Sequence, residues 1–355
     1  MNFDFFSKKD LNLLFKGFSV SSLFYNFLLE ILPKLDIEIE NLEKYTLFKL
    51  KPLKNGERIS LVKIYRLWIG IEQISNRTDI GLVIADYFTL PRAGLIGKLF
   101  LNTNNLKESV EIIRRFLSIL INNIYLRYEE TNDTAIFYFD VVPRFIIPFS
   151  VTECYAKICY NWVKEYNKSN TLPIYEINFY AKQPKHIDFY KTTFPESEIN
   201  FNQHENYIVL DKKLFYQKNS RKNILGYDYI IDHAQKIKKE LILENSYTKE
   251  IITQILLKMP EGENSLHSVA NDLNVSESTL KRRLKDENIT FKGLTELIRK
   301  KLAYYLIKDE KISFEEISYL LGYAEYSPFF RAFKHWYKSS PSIFRETLLN
   351  AHTKA

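Results

Sequence analysis

Apolar residues recur at helical spacing through the first fifty positions, as in Leu23, Phe24, Phe27, Leu28 and Ile31, with Pro33 and Pro52 as punctuation. Residues 60–76 (SLVKIYRLWIGIEQISN) predict an amphipathic helix with Ser60 as its N-cap. Residues 106–121 (LKESVEIIRRFLSILI) predict another, with Leu106, Val110, Ile113, Leu117 and Leu120 on one face. The β-branched and aromatic runs 124–128, 135–139 and 175–180 predict strands, and residues 151–167 between them a long helix. The first 215 residues therefore mix α and β, and no internal repeat is visible in them. Residues 216–245 change character: a polar, Lys-rich start (QKNSRKN) leads into a helical pattern that suits a connector. From Ser246 to Leu349 the pattern is nearly all helical. The expected division is an α+β domain over 1–215, a helical linker over 216–245 and an all-α domain over 246–350.

The all-α segment carries the sharpest local pattern. In residues 265–286 (SLHSVANDLNVSESTLKRRLKD), Ser265 can cap a short helix with Leu266, Val269, Ala270 and Leu273 on one face. Asn274-Val275 makes a short turn, and Ser276 can cap a second helix that turns Leu280 and Leu284 inward. Ser278, Thr279, Lys281, Arg282 and Lys285 then face outward, which describes a helix-turn-helix with a polar, cationic reading face. A second unit follows within about fifty residues, over 313–337 (SFEEISYLLGYAEYSPFFRAFKHWY). Phe314, Ile317, Leu320 and Leu321 form the inner face of its first helix, and Gly322 ends it by taking a left-handed cap. Its second helix starts near Tyr326-Ser327-Pro328, buries Phe329 and Phe333, and leaves Arg331, Lys334 and His335 outside. One long helix over 291–307 joins the two units and suits reading of successive major-groove faces about 10 base pairs apart.

Composition adds limits more than direction. The chain has 355 residues, 46% hydrophobic and 26% charged, as a chain with a buried core has. Its net charge is +7, a weak hint of a polyanionic partner, but residues 247–346 hold only +2 of it. Placement of cations therefore matters more than their number. Clusters at 281–285, 299–301 and 236–239 are by default solvated helix faces, and the helix-turn-helix around the first reverses that default. Two cysteines, Cys154 and Cys159, exclude a disulfide framework and a Cys-rich zinc site, and most simply are buried apolar residues. The histidines show no HxxxH or HExxH spacing, so no metal or other cofactor is expected. The start MNFDFFSKKD lacks a signal-peptide core, and the apolar run 145–151 is short and broken by Pro148. These features predict a cytoplasmic protein with no membrane partner.

Between Tyr247 and Glu346 the order of residues resembles the DNA-binding domain of the AraC/XylS family of bacterial transcription regulators. The matching positions are Ala270, Leu280, Arg282-Arg283-Leu284, Phe291, Arg299 before Ala303, Ile317, Leu321-Gly322-Tyr323, Ser327, Phe329, Arg331-Ala332-Phe333-Lys334, and Pro341 with Arg345. Asn288 and Lys338 stand where the family usually has Gly; Asn tolerates a left-handed conformation, and Lys is less comfortable there. Residues from about 20 to 215 resemble the arabinose-binding-like effector domain of one branch of that family. The stretches that carry this are Thr78–Leu82, Leu95–Leu99 followed by Leu106–Ser109, and Ile199–Phe201 leading to Ile208–Leu210.

The resemblance implies double-stranded promoter DNA as a partner, with RNA polymerase, a homodimer mate and a small-molecule effector as further ones. It places base and phosphate contacts on Ser278, Lys281 and Arg282, and on Glu325, Tyr326, Ser327 and Arg331; Thr279, Lys285 and Lys334 share the same faces. Glu325 either accepts from cytosine N4 or repels phosphate. Arg283 points either to phosphate or to a neighbouring acid, and Phe330 covers a helix edge. Trp336, Phe329 and Phe333 are expected in the core rather than stacked on bases. The effector-binding residues, the identity of the effector, and the choice between activation and repression stay open. No GxGxxG, GxSxG or P-loop is present, and nothing in the sequence argues for an enzyme. A regulator controlled by protein contacts alone, and an enzyme domain fused to a DNA-targeting domain, are the rival expectations.

Overall fold

A computed structural model of the chain describes residues 18–46, 48–141, 147–167, 173–184, 187–219, 227–244, 247–307 and 312–352. The N-terminal stretch 1–17, the segment 142–146 and the polar run 220–226, which bear parts of the sequence expectations, lie outside them. The described chain separates into two compact units: residues 18–141 with 147–244, and the residues from 245 on.

The first unit begins with β1 (Ser19–Ser21), α1 (Ser22–Ile31), α2 (Ile39–Thr46), β2 (Arg58–Ser60), α3 (Leu61–Ser75), α4 (Ile80–Tyr87) and α5 (Leu95–Leu101). Next come α6 (Leu106–Phe116), which runs into a 3-10 turn at Leu117–Ile119, then β3 (Ile124–Glu130), β4 (Thr134–Val141) and α7 (Phe149–Asn167). The unit continues with β5 (Ile174–Asn178), α8 (Asp188–Thr193), β6 (Glu198–Asn200), β7 (Tyr207–Asp211), α9 (Lys212–Tyr216) and α10 (Tyr227–Glu244). Five strands form one sheet in the order β3-β4-β7-β5-β6, antiparallel except for the β5–β6 pair. In β4 the alternation is complete: Ala135, Phe137, Phe139 and Val141 are buried and their neighbours are half-buried.

Four strands escaped the periodicity: β1 and β2, of three residues each, and two strands of the five-stranded sheet. β6 has three residues, too few to show a period of two. The run Ile208-Val209-Leu210 in β7 is buried on both faces, so it shows no alternation.

At two glycines of this unit a helix lies directly against a backbone carbonyl of another segment. A Cβ on Gly81 of α4 would lie 1.9 Å from the Ser150 carbonyl oxygen at the start of α7. A Cβ on Gly97 of α5 would lie 1.9 Å from the Leu90 carbonyl oxygen. Ser60 takes the N-cap position of α3 without a side-chain cap bond, and the Leu61 N–H donates instead to the Phe18 carbonyl at 3.0 Å. α6 is capped by Asn105, whose side chain accepts from the Glu108 N–H at 2.9 Å.

The helical part of the expected linker, α10, packs on this unit. Ala234 is fully buried, and Lys238 Nζ donates to the Arg115 carbonyl at 2.7 Å, satisfying a carbonyl in the last turn of α6. Most other described side chains of α10 are exposed or half-buried, so the attachment is light.

The second unit is all helix: α11 (Tyr247–Lys258), a 3-10 turn at Met259–Glu261, α12 (Leu266–Asp272), α13 (Glu277–Asp286), α14 (Phe291–Leu306), α15 (Phe314–Leu320), α16 (Tyr326–Tyr337) and α17 (Pro341–His352). Ser265, Ser276 and Ser313 each cap a helix, accepting from the N–H groups of Ser268, Thr279 and Glu316 at 3.1–3.2 Å. Gly322 has φ +69° and sits where a Cβ would meet the Met259 carbonyl at 2.6 Å. Asn288 and Lys338 take the left-handed conformation with φ 56° and 58°. Lys338 thus keeps the turn that a glycine makes more easily, at a cost of roughly 1 kcal/mol, and its N–H donates to the Lys334 carbonyl at 2.9 Å. Among the described residues no helix is long and apolar enough to cross a membrane.

Candidate DNA interface and effector cavity

In the first helix-turn-helix, Val269 and Ala270 of α12 and Leu280 and Leu284 of α13 are almost fully buried, whereas Leu266 and Leu273 are half-buried. The face of α13 opposite Leu280 carries exposed Ser278, Lys281, Arg282 and Lys285. Thr279 is half-buried, and its hydroxyl lies 2.9 Å from the capping Ser276 hydroxyl, which also meets Ser278 Oγ at 2.8 Å. Lys281 Nζ stands 3.7 Å from Glu277, one turn back, an exposed pair of little energetic weight. Among the described residues, Arg282 has no ion pair or side-chain hydrogen bond. Arg283 goes to neither an acid nor open solvent: its guanidinium lies 3.2 Å from the centroid of the Tyr247 ring on α11.

The second unit repeats this division of labour. Phe329 and Phe333 of α16 are fully buried, and Glu325, Ser327, Arg331 and Lys334 are exposed. Glu325 holds the N-cap position of α16 without a side-chain cap bond, and its carbonyl accepts from Ser318 Oγ at 2.8 Å. Tyr326 is half-buried, with its ring 6.0 Å from Phe329 and 5.8 Å from Phe330. Arg331 makes no ion pair or side-chain hydrogen bond among the described residues. Trp336 departs from the core expectation: it is half-buried, and its Nε1–H donates to Glu296 on α14 at 3.0 Å, because an indole N–H needs a polar partner.

Two arginines that pattern alone does not separate from reading residues hold the scaffold. Arg299 of α14 donates to the Leu321 and Gly322 carbonyls at 2.9 and 3.1 Å and covers the Tyr323 ring. Arg345 of α17 donates to the Ile307 and Ile312 carbonyls, both at 2.8 Å, beneath Phe314. These bonds satisfy carbonyls that helix ends leave open. The long helix thereby grips the turn of the second helix-turn-helix directly.

In the α+β unit an apolar cavity of about 90 Å³ lies between α6, α7 and the sheet. α6 and its 3-10 turn supply Leu106, Val110, Ile113, Leu117 and Leu120, the same five positions that the helical periodicity put on one face. β4 supplies Phe137 and Phe139, and α7 supplies Tyr155, Cys159 and Trp162. Burial pushes the Cys159 thiol up to about 12, so it is a neutral wall atom and not a thiolate. A larger, more open groove of about 610 Å³ runs outside the 3-10 turn, along β1, β2 and α10.

The same domain holds two sets of buried polar contacts. Trp68 Nε1 donates to Ser150 Oγ at 2.7 Å, Ser150 Oγ donates to Glu72, and Tyr190 donates to Glu153. Burial is the main reason that the Glu153 carboxyl is pushed up to about 7, with Tyr190 pulling it down and Glu72 and Asp79 adding to the rise. Glu153 thus binds a proton in the fold that it releases in the unfolded chain between its ordinary value of 4.5 and about 7. That contribution to stability is complete below the lower limit and is lost as pH rises through the upper. The melting temperature of this domain is expected to fall from pH 5 to pH 8, and Glu153→Gln to flatten the fall. A pH profile unchanged by the variant would assign the dependence elsewhere.

Two capped helix-turn-helix units on one helical scaffold, with a separate α+β domain that holds a cavity, define a DNA-binding transcription regulator of two domains. A family profile described as helix-turn-helix domain matches residues 269–347. A second, described as the arabinose-binding domain of AraC transcription regulator, N-terminal, matches residues 45–219. The chain belongs to the AraC family of transcription regulators, in the branch with an arabinose-binding-like N-terminal domain.

Among its relatives, the HTH-type transcriptional regulator VqsM of Pseudomonas aeruginosa is 33% identical over 107 residues, which is 30% of this chain and only a third of that protein's length. The ornithine utilization regulator of the same organism is 21% identical over 300 residues, 82% of this chain and 85% of its own. An HTH-type transcriptional regulator of Mycobacterium tuberculosis is 21% identical over 286 residues, 77% and 80% of the two chains. The crystal structure of the regulator CdpR from Pseudomonas aeruginosa aligns over 91% of this chain and 98% of its own, at 18% identity and a TM-score of 0.43.

Proposed function

We propose that the chain reads promoter DNA through the outward faces of α13 and α16. Arg282 and Arg331 would act as the principal base-reading cations, supported by Ser278, Thr279, Lys281, Lys285, Tyr326, Ser327 and Lys334. Glu325, at the N-terminus of α16, would accept from a cytosine amino group. The observation that carries this is the sorting of arginines. Arg283, Arg299 and Arg345 are engaged inside the domain, whereas Arg282 and Arg331 stand exposed on the two second helices.

The functional division follows the same lines: an effector-binding domain before α10, α10 as the connector, and the DNA-binding domain from α11 on. The effector would act by binding one arrangement of the protein better than another, since equal affinity shifts nothing. Homodimerisation, contact with RNA polymerase and a cytoplasmic site of action follow from the family resemblance and from DNA as the partner.

The test is genome-wide mapping of DNA bound by the full chain and by Arg282→Ala, with and without candidate metabolites. The expected result is a discrete set of promoter sites that the variant loses. Binding spread evenly over the genome by both proteins would overturn the assignment.

A further inference from the structure

We propose that the effector of the α+β domain is a small, uncharged apolar molecule held in the cavity between α6, α7 and the sheet, and that the 3-10 turn after α6 passes its presence to α10. This rests on the effector-binding role proposed above and specifies its chemistry.

The wall of the cavity is apolar throughout. A sugar placed there would lose its hydrogen bonds to water and regain none, a penalty paid once per hydroxyl. The groups with heteroatoms on the wall carry no charge to offer an ionic ligand. The Cys159 thiol is neutral, and burial holds the Tyr155 phenol well above its ordinary range. The larger groove outside is mixed, with Asn55, Lys98 and His233 beside Leu120, Ile237 and Leu241, and two of its charged groups are already engaged. Its Arg58 guanidinium is taken up by Ser19 and by the Ser118 and Ile119 carbonyls at 2.7–3.2 Å, and the Glu57 carboxylate accepts from the Lys54 N–H at 2.7 Å.

Size and position give the read-out. At about 90 Å³ the cavity is smaller than the dry apolar cavity of roughly 150 Å³ that takes benzene. An occupant as large as one ring must therefore move part of the wall. Leu117 is half-buried and belongs to a 3-10 turn, whereas the sheet side of the wall is tied into a hydrogen-bonded ladder. Leu120 lines the cavity on one side and the groove on the other, and the far wall of the groove is His233, Ile237 and Leu241 of α10. Outward movement of residues 117–120 thus presses on the helix that leads into the DNA-binding domain. α10 is lightly attached, through Ala234 and the Lys238–Arg115 bond, so a small push changes its equilibrium.

The test uses the full chain, with benzene as the apolar probe and L-arabinose as the polar one. Benzene at about ten times its dissociation constant is expected to raise the melting temperature of the α+β domain by roughly 2–5 °C. It should also change affinity for a mapped promoter fragment about fivefold or more. Arabinose is expected to do neither. Val110→Phe, which fills the cavity, should abolish both responses; if that variant does not fold, the wild-type melting curves decide alone. Lys238→Ala should keep the thermal response and lose the DNA response. A thermal shift with arabinose and none with benzene would overturn the apolar assignment, and a shift with neither would remove the cavity as a ligand site. A DNA response retained in Lys238→Ala would overturn the route through α10. Promoter binding by the ligand-free wild type, measured in parallel, reports on the DNA-binding role separately.

Discussion

Replacing Arg282 and Arg331 together by alanine is expected to weaken binding to a mapped promoter fragment by roughly 30- to 10⁴-fold while leaving the fold intact. A well-placed bidentate arginine–guanine contact contributes about 1–3 kcal/mol of discrimination, and two such contacts on separate helices add nearly independently. Both guanidinium groups are exposed, and neither has an internal partner among the described residues. Surface changes of this kind usually alter stability by no more than about 0.5 kcal/mol. Fluorescence anisotropy at one fixed ionic strength would give the affinity, and a thermal melt the stability. Unchanged affinity would remove α13 and α16 as the reading helices. Arg299→Ala is the informative contrast: loss of its bonds to the Leu321 and Gly322 carbonyls should lower the melting temperature of the DNA-binding domain first.

The second large effect is expected in the other domain. Gly81→Ala would drive a methyl group to 1.9 Å from the Ser150 carbonyl oxygen. The obstacle is backbone, so no side-chain rotation relieves it, and α4 and α7 must move apart. Overpacking of this kind costs about 3 kcal/mol or more, which for a domain of this size lowers the melting temperature by roughly 6–12 °C. Differential scanning calorimetry should show the transition of the α+β domain moving down while that of the DNA-binding domain stays in place. Gly262→Ala makes a useful control, because its φ is +73° but nothing lies within 4 Å of the added carbon. Its cost should be conformational only, about 1 kcal/mol. Equal effects of the two changes would show that the α4–α7 contact is not as close as described.

The physical reasons for what the sequence disclosed differ by region. The helix-turn-helix units were legible because each depends on local chemistry at fixed spacing: a serine cap, an i,i+4 apolar pair, a small residue or glycine at the turn. Ser276, Leu280, Leu284 and Gly322 all stand in those roles. The five apolar positions of α6 were legible as a face, but nothing in their spacing says that the face lines a cavity. That depends on Phe137, Phe139 and Trp162, which arrive from distant parts of the chain. Gly81 and Gly97 lie in two of the three stretches that carried the N-terminal resemblance, and the close approach of a backbone carbonyl supplies the reason for a glycine at each. Arg283 and Trp336 could not be placed from pattern. Each lies on a boundary between faces, and its direction was decided by a partner from another helix, Tyr247 or Glu296. Glu153 gave no signal, since a carboxylate on a predicted helix is normally solvated.

The engagement of Arg283, Arg299 and Arg345 within the helical unit also bears on how this protein responds to ionic strength. A protein that neutralises phosphates releases the cations condensed on DNA, and the steepness of its affinity against salt concentration counts those contacts. A count of basic residues between 247 and 346 gives 16. Three of the arginines in that count already spend their donors or ring contacts on the domain itself. The ions displaced on binding should therefore be fewer than the sequence charge suggests, and the fall of affinity with salt correspondingly less steep.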